Sequence, residues 1–327
     1  MINRDFIFAI SEKFSVGSAD LVEKDLLLQQ LLQMYLREET FSQDYAFKGG
    51  TCLIKCYLGY FRFSEDLDFT YLKQDTFVGK SANEIKRLVS SLIEKFLRVT
   101  EAISGRLDLN FKAEKSNSRC VQHGGNERML TLRIWYKSEI LGAESFIKVQ
   151  ISFAEVICFP IETKKIRYWS VALDDDEIRT LFPREYQIFS IELEIKSYSL
   201  EEIACEKMRA ILTRKGVKVR DYVDLYFLKQ HIKGGFGKLK QAAELKTRFA
   251  VHLFTKYQNN LKSRMDVLSS MSLPDWTGDR TMLLTTIDER EFESFVVEMN
   301  KLLANLMSDW GQSVHDYFCA AFEKVIT

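Results

Sequence analysis

The pattern of apolar positions predicts helices along much of the chain. Residues 18–39 and 81–102 carry apolar side chains at intervals of three and four, which is the spacing of an amphipathic helix. In the second half the same spacing predicts helices at residues 200–215, 219–230, 238–257, 288–309 and 314–325. This part of the chain is therefore predicted to be mainly helical.

Shorter segments in the first half have the partial alternation that is typical of strands. Predicted strands cover residues 67–72, 107–111, 129–136 and 146–153, and a short helix at 51–58 follows a pair of glycines. Strands concentrated before a helical half indicate an α+β protein. We place a domain boundary near residue 196, which gives domains at 1–195 and 196–327.

Composition narrows the classes of protein that the sequence fits. The hydrophobic content of 46% with only 3 prolines predicts an ordered globular chain. Since 46 basic residues balance 46 acidic ones, any nucleic-acid contact would need a local basic patch. Scattered histidines and six cysteines without a CxxC pair do not suggest a zinc site. No long uncharged apolar run or export signal is visible, so we expect a cytoplasmic protein without a membrane segment.

The chemistry-bearing stretch begins with glycines and ends with two carboxylates. If residues 67–72 form a strand, Asp66 and Asp68 face the same side with Cα atoms roughly 6.5 to 7 Å apart. Adjacent carboxylates repel each other, and Mg²⁺ would remove that repulsion. Backbone N–H groups of the turn at Gly49-Gly50 could bind a phosphate. The hydroxyls of Thr51 and Ser64 could contribute to the same phosphate or metal site.

Each of these features has an ordinary explanation when it is taken alone. A pair of glycines before a helix is usually a turn, and Asp-x-Asp is usually a solvated strand end. A glycine turn, a short helix and Asp-x-Asp in succession is the arrangement that nucleotidyl transfer needs. One element holds the triphosphate while the carboxylates hold a metal.

A second charged region lies in the helical half. Lys207 and Arg214 are seven residues apart and would share one helix face. Asp221 and Asp224 are three apart and would also be neighbours. With Lys215, Lys218 and Arg220 the basic residues could bind triphosphate or an RNA backbone. The alternatives are a solvated helix face and an ion pair between Arg220 and Asp224.

Together these segments resemble the AbiEii-type nucleotidyltransferase toxins of the DNA-polymerase-β-like superfamily. The resemblance covers residues 40–230 and rests on four segments, which are Lys48-Gly49-Gly50-Thr51, Arg62-Phe63-Ser64-Glu65-Asp66-Leu67-Asp68, Glu206-Lys207-Met208-Arg209-Ala210 with Arg214, and Arg220-Asp221-Tyr222-Val223-Asp224-Leu225. It implies a mixed-sheet nucleotidyltransferase core followed by a helical domain that completes the active site. It also implies a toxin of a type IV toxin–antitoxin or phage-defence system.

The resemblance further implies Mg²⁺, a nucleoside triphosphate substrate, an RNA acceptor such as tRNA or a protein acceptor, and a cognate antitoxin. By position, Asp66 and Asp68 would be the metal ligands. Lys207 and Asp224 would join them as catalytic residues. The nucleotide-binding positions would be Lys48, Gly49, Gly50, Thr51, Arg62, Ser64, Arg214, Arg220 and Asp221.

One position departs from the superfamily pattern. The third carboxylate normally lies on a later strand, where this chain has Gln150. An amide can ligate a metal but cannot act as a general base. Either Asp224 or Glu155 replaces it, or the catalytic requirement differs. Two alternatives therefore stay open, namely a nucleotide-binding sensor or scaffold without turnover, and a kinase-like phosphotransferase.

Overall fold

The chain folds into two compact units that interleave along the sequence. The computed structural model describes residues 2–124, 128–168, 176–270 and 277–308. The first unit comprises Met1–Lys73, Ala82–Ala154 and Ile161–Ser197, and the second comprises Gln74–Ser81, Glu155–Pro160 and Tyr198–Thr327. The second unit thus takes in two short stretches from within 1–195, and the division into domains at 1–195 and 196–327 stays a prediction.

Helices and strands alternate in the first part of the chain and helices follow in the second. The strands are β1 Tyr45–Lys48, β2 Asp66–Tyr71, β3 Val121–Gly124, β4 Met129–Lys137, β5 Glu144–Ser152, β6 Ile161–Lys165 and β7 Glu194–Tyr198. The α-helices are α1 Arg4–Lys13, α2 Ala19–Leu36, α3 Glu39–Asp44, α4 Gly49–Cys52, α5 Ala82–Arg106, α6 Asp176–Leu181, α7 Pro183–Phe189, α8 Leu200–Thr213, α9 Val219–Leu228, α10 Lys240–Leu253, α11 Thr255–Ser270, α12 Thr277–Arg280 and α13 Glu289–Ser308.

The strands form one mixed sheet in the order β3-β4-β5-β2-β1-β7-β6. β2 is antiparallel to β1 and parallel to β5, while β1 is parallel to β7. The central position of β2 places its first residues between two neighbouring strands. The predicted α+β class, a mixed-sheet core followed by a helical region, is confirmed.

Alternating burial along β2 explains how the strand separates core from site. Leu67 and Phe69 are fully buried, whereas Asp66 and Asp68 are only partly so. On the core side, Phe69 packs edge-on against Tyr35 of α2, whose ring stacks on Phe96 of α5. Burial of these aromatic rings is the main stabilising contribution at this point. The two carboxylates therefore lie on the opposite face of the strand from this cluster.

The predicted strand at 107–111 is wrong. Only Asn110 pairs there, in a single bridge with Trp135. The backbone N–H of Leu109 instead donates to the Ser104 carbonyl at the end of α5, and Asp108 takes a left-handed conformation with φ of 57°. These residues complete a helix terminus and cannot extend as a strand.

Two further predictions differ in detail. The helix predicted at 238–257 is divided at Phe254, whose extended backbone separates α10 from α11. The helix predicted at 51–58 begins at Gly49 and continues as a π-helix over Leu53–Leu58. The predicted helix at 314–325 lies outside the described residues. Within the described ranges, no helix is both long and apolar enough to cross a membrane.

Candidate active site

The acidic pair lies at the start of β2 beside polar residues of β5. In the strand register Asp66 is opposite Lys148 and Asp68 is opposite Gln150. Lys148 Nζ lies 2.6 Å from Asp66 Oδ2, and the two side chains are 29% and 20% exposed. Because neighbouring residues in register point to the same face of a sheet, the carboxylates, the ammonium and the amide form one polar cluster that solvent reaches.

Gly49 allows the carboxylate of Asp68 to approach the glycine turn. Its φ is +78°, a conformation that side chains with a Cβ rarely adopt. A Cβ at this position would lie 2.5 Å from Asp68 Oδ2. The turn and the acidic strand are therefore fitted together at a point where only glycine has room.

Thr51 links the helix after the turn to the acidic strand. Its hydroxyl donates to the backbone carbonyl of Asp66 at 2.5 Å and lies 2.8 Å from Ser64 Oγ. Thr51 is buried, while Ser64 is partly exposed. The Thr51 hydroxyl thus holds the backbone of the strand in place, and Ser64 is the hydroxyl of this pair with access to solvent.

The two basic residues predicted for this region occupy different environments. Arg62 is buried, and its Nη1 donates to the carbonyl of Phe63 at 2.6 Å. Lys48 is partly buried, and its Nζ donates to Ser152 Oγ at 3.0 Å on β5. Lys48 therefore ties β1 to the strand that carries Lys148, whereas Arg62 shapes the loop before Ser64.

A buried ion pair supports the π-helix that follows the glycines. Lys55 Nζ lies 2.8 Å from Asp25 Oδ1 of α2, and the Tyr60 hydroxyl donates to Asp25 Oδ2 at 2.8 Å. Lys55 and Asp25 are both nearly inaccessible to solvent. A π-helix is rare and is frequently found at functional sites. Here its buried lysine fixes the segment carrying Gly49 to α2.

Gln150 occupies the place where the third carboxylate was expected. Its amide nitrogen donates to Thr131 Oγ1 at 3.0 Å on β4. Glu155, one predicted substitute, belongs to the second unit, where Tyr198 donates to it and Lys246 lies 3.8 Å away. The described residues contain no group of three or more histidine, cysteine, aspartate or glutamate side chains arranged to hold a metal.

The second unit contains a separate, buried cluster of charges. Lys207 of α8 lies 3.0 Å from Asp221 Oδ1 and 2.5 Å from Asp224 Oδ2 on α9. Arg214, at the end of α8, pairs with the other oxygen of Asp221. Both carboxylates are almost fully buried, at 1% and 0% exposure. The spacing of three residues on α9 brings them to one lysine, as predicted for neighbours on a helix.

Two opposing effects act on the carboxyl group of Asp221. Burial raises its pKa, but the positive charges of Lys207 and Arg214 outweigh burial and hold the pKa below the ordinary value of 3.8. Asp221 therefore stays ionised. Arg220 is partly exposed, and Asp224 pairs with Lys207.

Comparison with known proteins identifies the family. Residues 30–299 match the family described as nucleotidyl transferase AbiEii toxin, Type IV TA system. The chain belongs to the AbiEii family. It is thus a nucleotidyltransferase, of a toxin family from type IV toxin–antitoxin systems, and the resemblance in the sequence is confirmed.

The fold of this AbiEii-family protein is similar to that of a solved nucleotidyltransferase toxin. MenT4, a nucleotidyltransferase toxin from Mycobacterium tuberculosis H37Rv, aligns with 100% of this chain and 98% of its own at 18% identity and a TM-score of 0.59. JHP933 from Helicobacter pylori aligns with 92% of this chain and 99% of its own at 16% identity and a TM-score of 0.41. Among curated proteins, none matches the chain significantly in sequence.

The site residues inferred from the sequence fall into two groups. Lys48, Gly49, Gly50, Thr51, Arg62, Ser64, Asp66 and Asp68 belong to the first unit, and Lys207, Arg214, Arg220, Asp221 and Asp224 belong to the second. Their catalytic and nucleotide-binding roles stay predictions. The sequence pattern did not indicate Lys148, which lies two positions before Gln150 on β5, the strand where the third carboxylate was expected.

Proposed function

We propose that this AbiEii-family enzyme transfers a nucleoside monophosphate from a nucleoside triphosphate to an acceptor, with Mg²⁺ at Asp66 and Asp68. The observation that carries the proposal is the pair of solvent-accessible carboxylates on one face of β2, beside the glycine turn. Lys148 Nζ at 2.6 Å from Asp66 Oδ2 supports it, because it marks a cation-binding position on that carboxylate.

The donor set fits a hard divalent cation. Asp66 and Asp68 supply oxygen ligands, which Mg²⁺ prefers, and Mg²⁺ usually completes its shell with waters and substrate phosphate oxygens. Because Gly49 has no Cβ, Asp68 Oδ2 lies close against the glycine turn, so the carboxylate is beside the backbone that would bind the phosphates. When bound, Mg²⁺ would neutralise charge on the phosphates and orient them for displacement.

The residues of the chain bind and position the reactants in this proposal. Backbone N–H groups at Gly49, Gly50 and Thr51 and the hydroxyl of Ser64 bind phosphate oxygens. The acceptor hydroxyl gives up its proton to solvent as its oxygen attacks the α-phosphorus, the bond from that phosphorus to the oxygen shared with the β-phosphate breaks, and pyrophosphate leaves. Catalysis then comes mainly from positioning and from stabilisation of the charge on the phosphates.

Residues of the second unit are also part of the proposed reaction. Lys207 and Asp224 are assigned to catalysis, and Arg214, Arg220 and Asp221 to nucleotide binding. The partly exposed Arg220 has the access to solvent that a phosphate contact requires. Lys207 is held by Asp221 and Asp224, so Asp224 positions the lysine. Replacement of Lys207 by Met should lower kcat, and an unchanged kcat would remove Lys207 from the assignment.

For the acceptor we propose RNA, with tRNA as the first substrate to test and a protein hydroxyl as the other outcome. The support is membership of a toxin family, because blocking translation is toxic. A type IV toxin implies a cognate antitoxin, which we propose as a partner of this chain.

The deciding experiment supplies α-labelled nucleoside triphosphates one at a time, with Mg²⁺, total RNA and lysate protein. Label on an RNA or protein band with the wild type, and not with Asp66→Asn, would establish transfer. Asp108→Asn is the matched control, because Asp108 is exposed and asparagine tolerates its left-handed backbone. Transfer of a γ label instead would indicate a kinase-like reaction and overturn the proposal.

One observation favours a second function. Gln150, opposite Asp68 in register, brings an amide to the position of an expected acid. A chain that binds nucleotide without turnover would need no base there. Calorimetric binding of nucleotide with no labelled product from any acceptor would favour this alternative, and transfer by the wild type would exclude it.

A further inference from the structure

A lysine of the chain lies beside the acidic pair. Lys148 is on β5, directly opposite Asp66, and its Nζ is 2.6 Å from Asp66 Oδ2. The lysine side chain is 29% exposed. Since part of the side chain already reaches solvent, it can leave Asp66 without unfolding the sheet. The contact is therefore one that another cation can replace.

The next residue on the same face of β5 reduces the negative charge further. Gln150 is neutral and its amide is bonded to Thr131 at 3.0 Å. Lys48 is opposite Asp68 in register, so the formal charges of Asp66, Asp68, Lys48 and Lys148 sum to about 0, whereas three carboxylates and no lysine would carry about −3. The attraction of the cluster for a divalent cation weakens as its net negative charge becomes smaller. The cluster by itself is thus a weak site for a divalent cation.

We propose that Lys148 is an internal counter-ion, which keeps Asp66 and Asp68 from holding a divalent cation until a nucleoside triphosphate binds. The inference rests on the proposed function. The site binds its cation together with the triphosphate. The negative charge of the triphosphate replaces the charge that Gln150, as a neutral amide, does not provide. Lys148 then leaves Asp66 and pairs with a phosphate oxygen, as lysine does as a compact point charge. No covalent bond changes in this exchange.

The proposal predicts opposite effects of one substitution on two ligands. Lys148→Met keeps the aliphatic stem and removes the charge, so Mn²⁺ should bind the nucleotide-free protein about tenfold more tightly. The same variant should bind a nucleoside triphosphate analogue more weakly in the presence of Mg²⁺. A residue that only stabilises the fold would not strengthen one ligand while weakening the other.

The experiment measures free Mn²⁺ by electron paramagnetic resonance during titration of the full chain without nucleotide. Lys148→Met and Gln150→Glu should each tighten Mn²⁺ binding about tenfold, and Lys148→Arg should behave as the wild type. Lys137→Met is the matched control, because Lys137 is exposed on the same face of the sheet, about 13 Å farther along β4 than the residue opposite Lys148. Adding Asp66→Asn to Lys148→Met should abolish the gain.

The wild type should then bind the triphosphate analogue with an α,β-methylene bridge, and Mn²⁺ should bind tightly only in that complex. The inference is overturned if the nucleotide-free wild type already binds Mn²⁺ as tightly as Lys148→Met does. Because Mn²⁺ binding is read without any acceptor or turnover, this result is separate from the transfer assay. Failure of transfer by the wild type would overturn the proposed function instead.

Discussion

The two charged clusters of this protein use similar residues in different surroundings. In the first unit Asp66 is partly exposed and contacts Lys148, a side chain that is itself partly exposed. In the second unit Asp221 and Asp224 are buried with Lys207, and Arg214 adds a second cation. The first cluster is open to solvent, which the proposed exchange of its cation requires, whereas the second is buried. Substitutions should therefore separate activity from stability in the first cluster and couple them in the second.

The largest effect is expected from Asp66→Asn. Loss of the proposed metal ligand should lower the rate of transfer by about a thousandfold or more, which corresponds to about 4 kcal/mol of transition-state stabilisation at about 1.4 kcal/mol for each factor of ten. The melting temperature should stay close to that of the wild type, because Asp66 is accessible to solvent. Transfer kinetics measure the rate, and thermal denaturation measures the melting temperature. Unfolding of this variant would contradict the expectation that Asp66 contributes to activity and not to stability.

Asp224→Ala should mainly lower stability. It leaves Lys207, which is nearly buried, without one of its two carboxylates. Removal of one partner from a buried pair costs about 3 kcal/mol or more. Urea denaturation measures the loss. Lys207→Met with Asp224→Leu is the matched double variant and should recover part of the stability; a single variant as stable as wild type would show that the cluster is not structural.

The pH dependence of stability sharpens the comparison inside the second unit. The pKa of Asp221 is lowered from 3.8, so its contribution is complete above about pH 4 and is lost as pH falls through the folded-state pKa. The stability difference between wild type and Asp221→Asn should shrink between pH 6 and pH 2. Denaturation curves across this range test the sign, and a widening difference would contradict it.

Glu202 should behave in the opposite way. Burial raises its pKa above 4.5, although Lys246, at 2.5 Å, acts against burial. A raised folded-state pKa gives stability that is present at low pH and is lost as pH rises through that pKa. Glu202→Gln should therefore gain stability relative to the wild type from pH 4 to pH 7. A constant difference over this range would show that Lys246 fully compensates the charge.

The smallest effect compares two glycines with the same backbone conformation. Gly49 and Gly59 have φ of 78° and 79°, but only Gly49 has Asp68 where a Cβ would lie. Each substitution by alanine should cost about 1 kcal/mol from backbone strain. Gly49→Ala should also displace Asp68 and lower activity, while Gly59→Ala should keep it. Equal activity of the two variants would show that the turn tolerates movement of Asp68.

The spacing of apolar residues predicted the long helices better than the π-helix and the short strands. The apolar spacing of residues 18–39 predicted α2 closely, although the helix is buried on nearly every side, with Glu23, Asp25, Gln29 and Gln33 among its buried residues. The π-helix at Leu53–Leu58 escaped prediction, since it closes through the Gly59 N–H bond to the Ile54 carbonyl, a shift of one residue that spacing does not show. β1 has only four residues, too few to show alternation.

The candidate site shows the same limit. Asp66 and Asp68 were found because they are two residues apart in the sequence. The partnership of Asp66 with Lys148 depends on the parallel pairing of β2 with β5 across some eighty positions, which no local pattern encodes. The sequence shows that Gln150 stands where an acid is expected. The contact of Lys148 with Asp66 follows only from the strand register.

The interleaving of the two units has a consequence for dissecting the gene. Residues 155–160 belong to the second unit, where Lys246 contacts Glu155 and the Val156 carbonyl, and the backbone N–H groups of Cys158 and Phe159 donate to Glu202. A fragment starting at residue 196 would leave Lys246 and Glu202 without these partners. A single division of the chain at residue 196 therefore does not yield the two units intact. A chain that fuses residues 155–160 directly to residue 198 would keep these contacts, although it would still lack Gln74–Ser81 of the second unit.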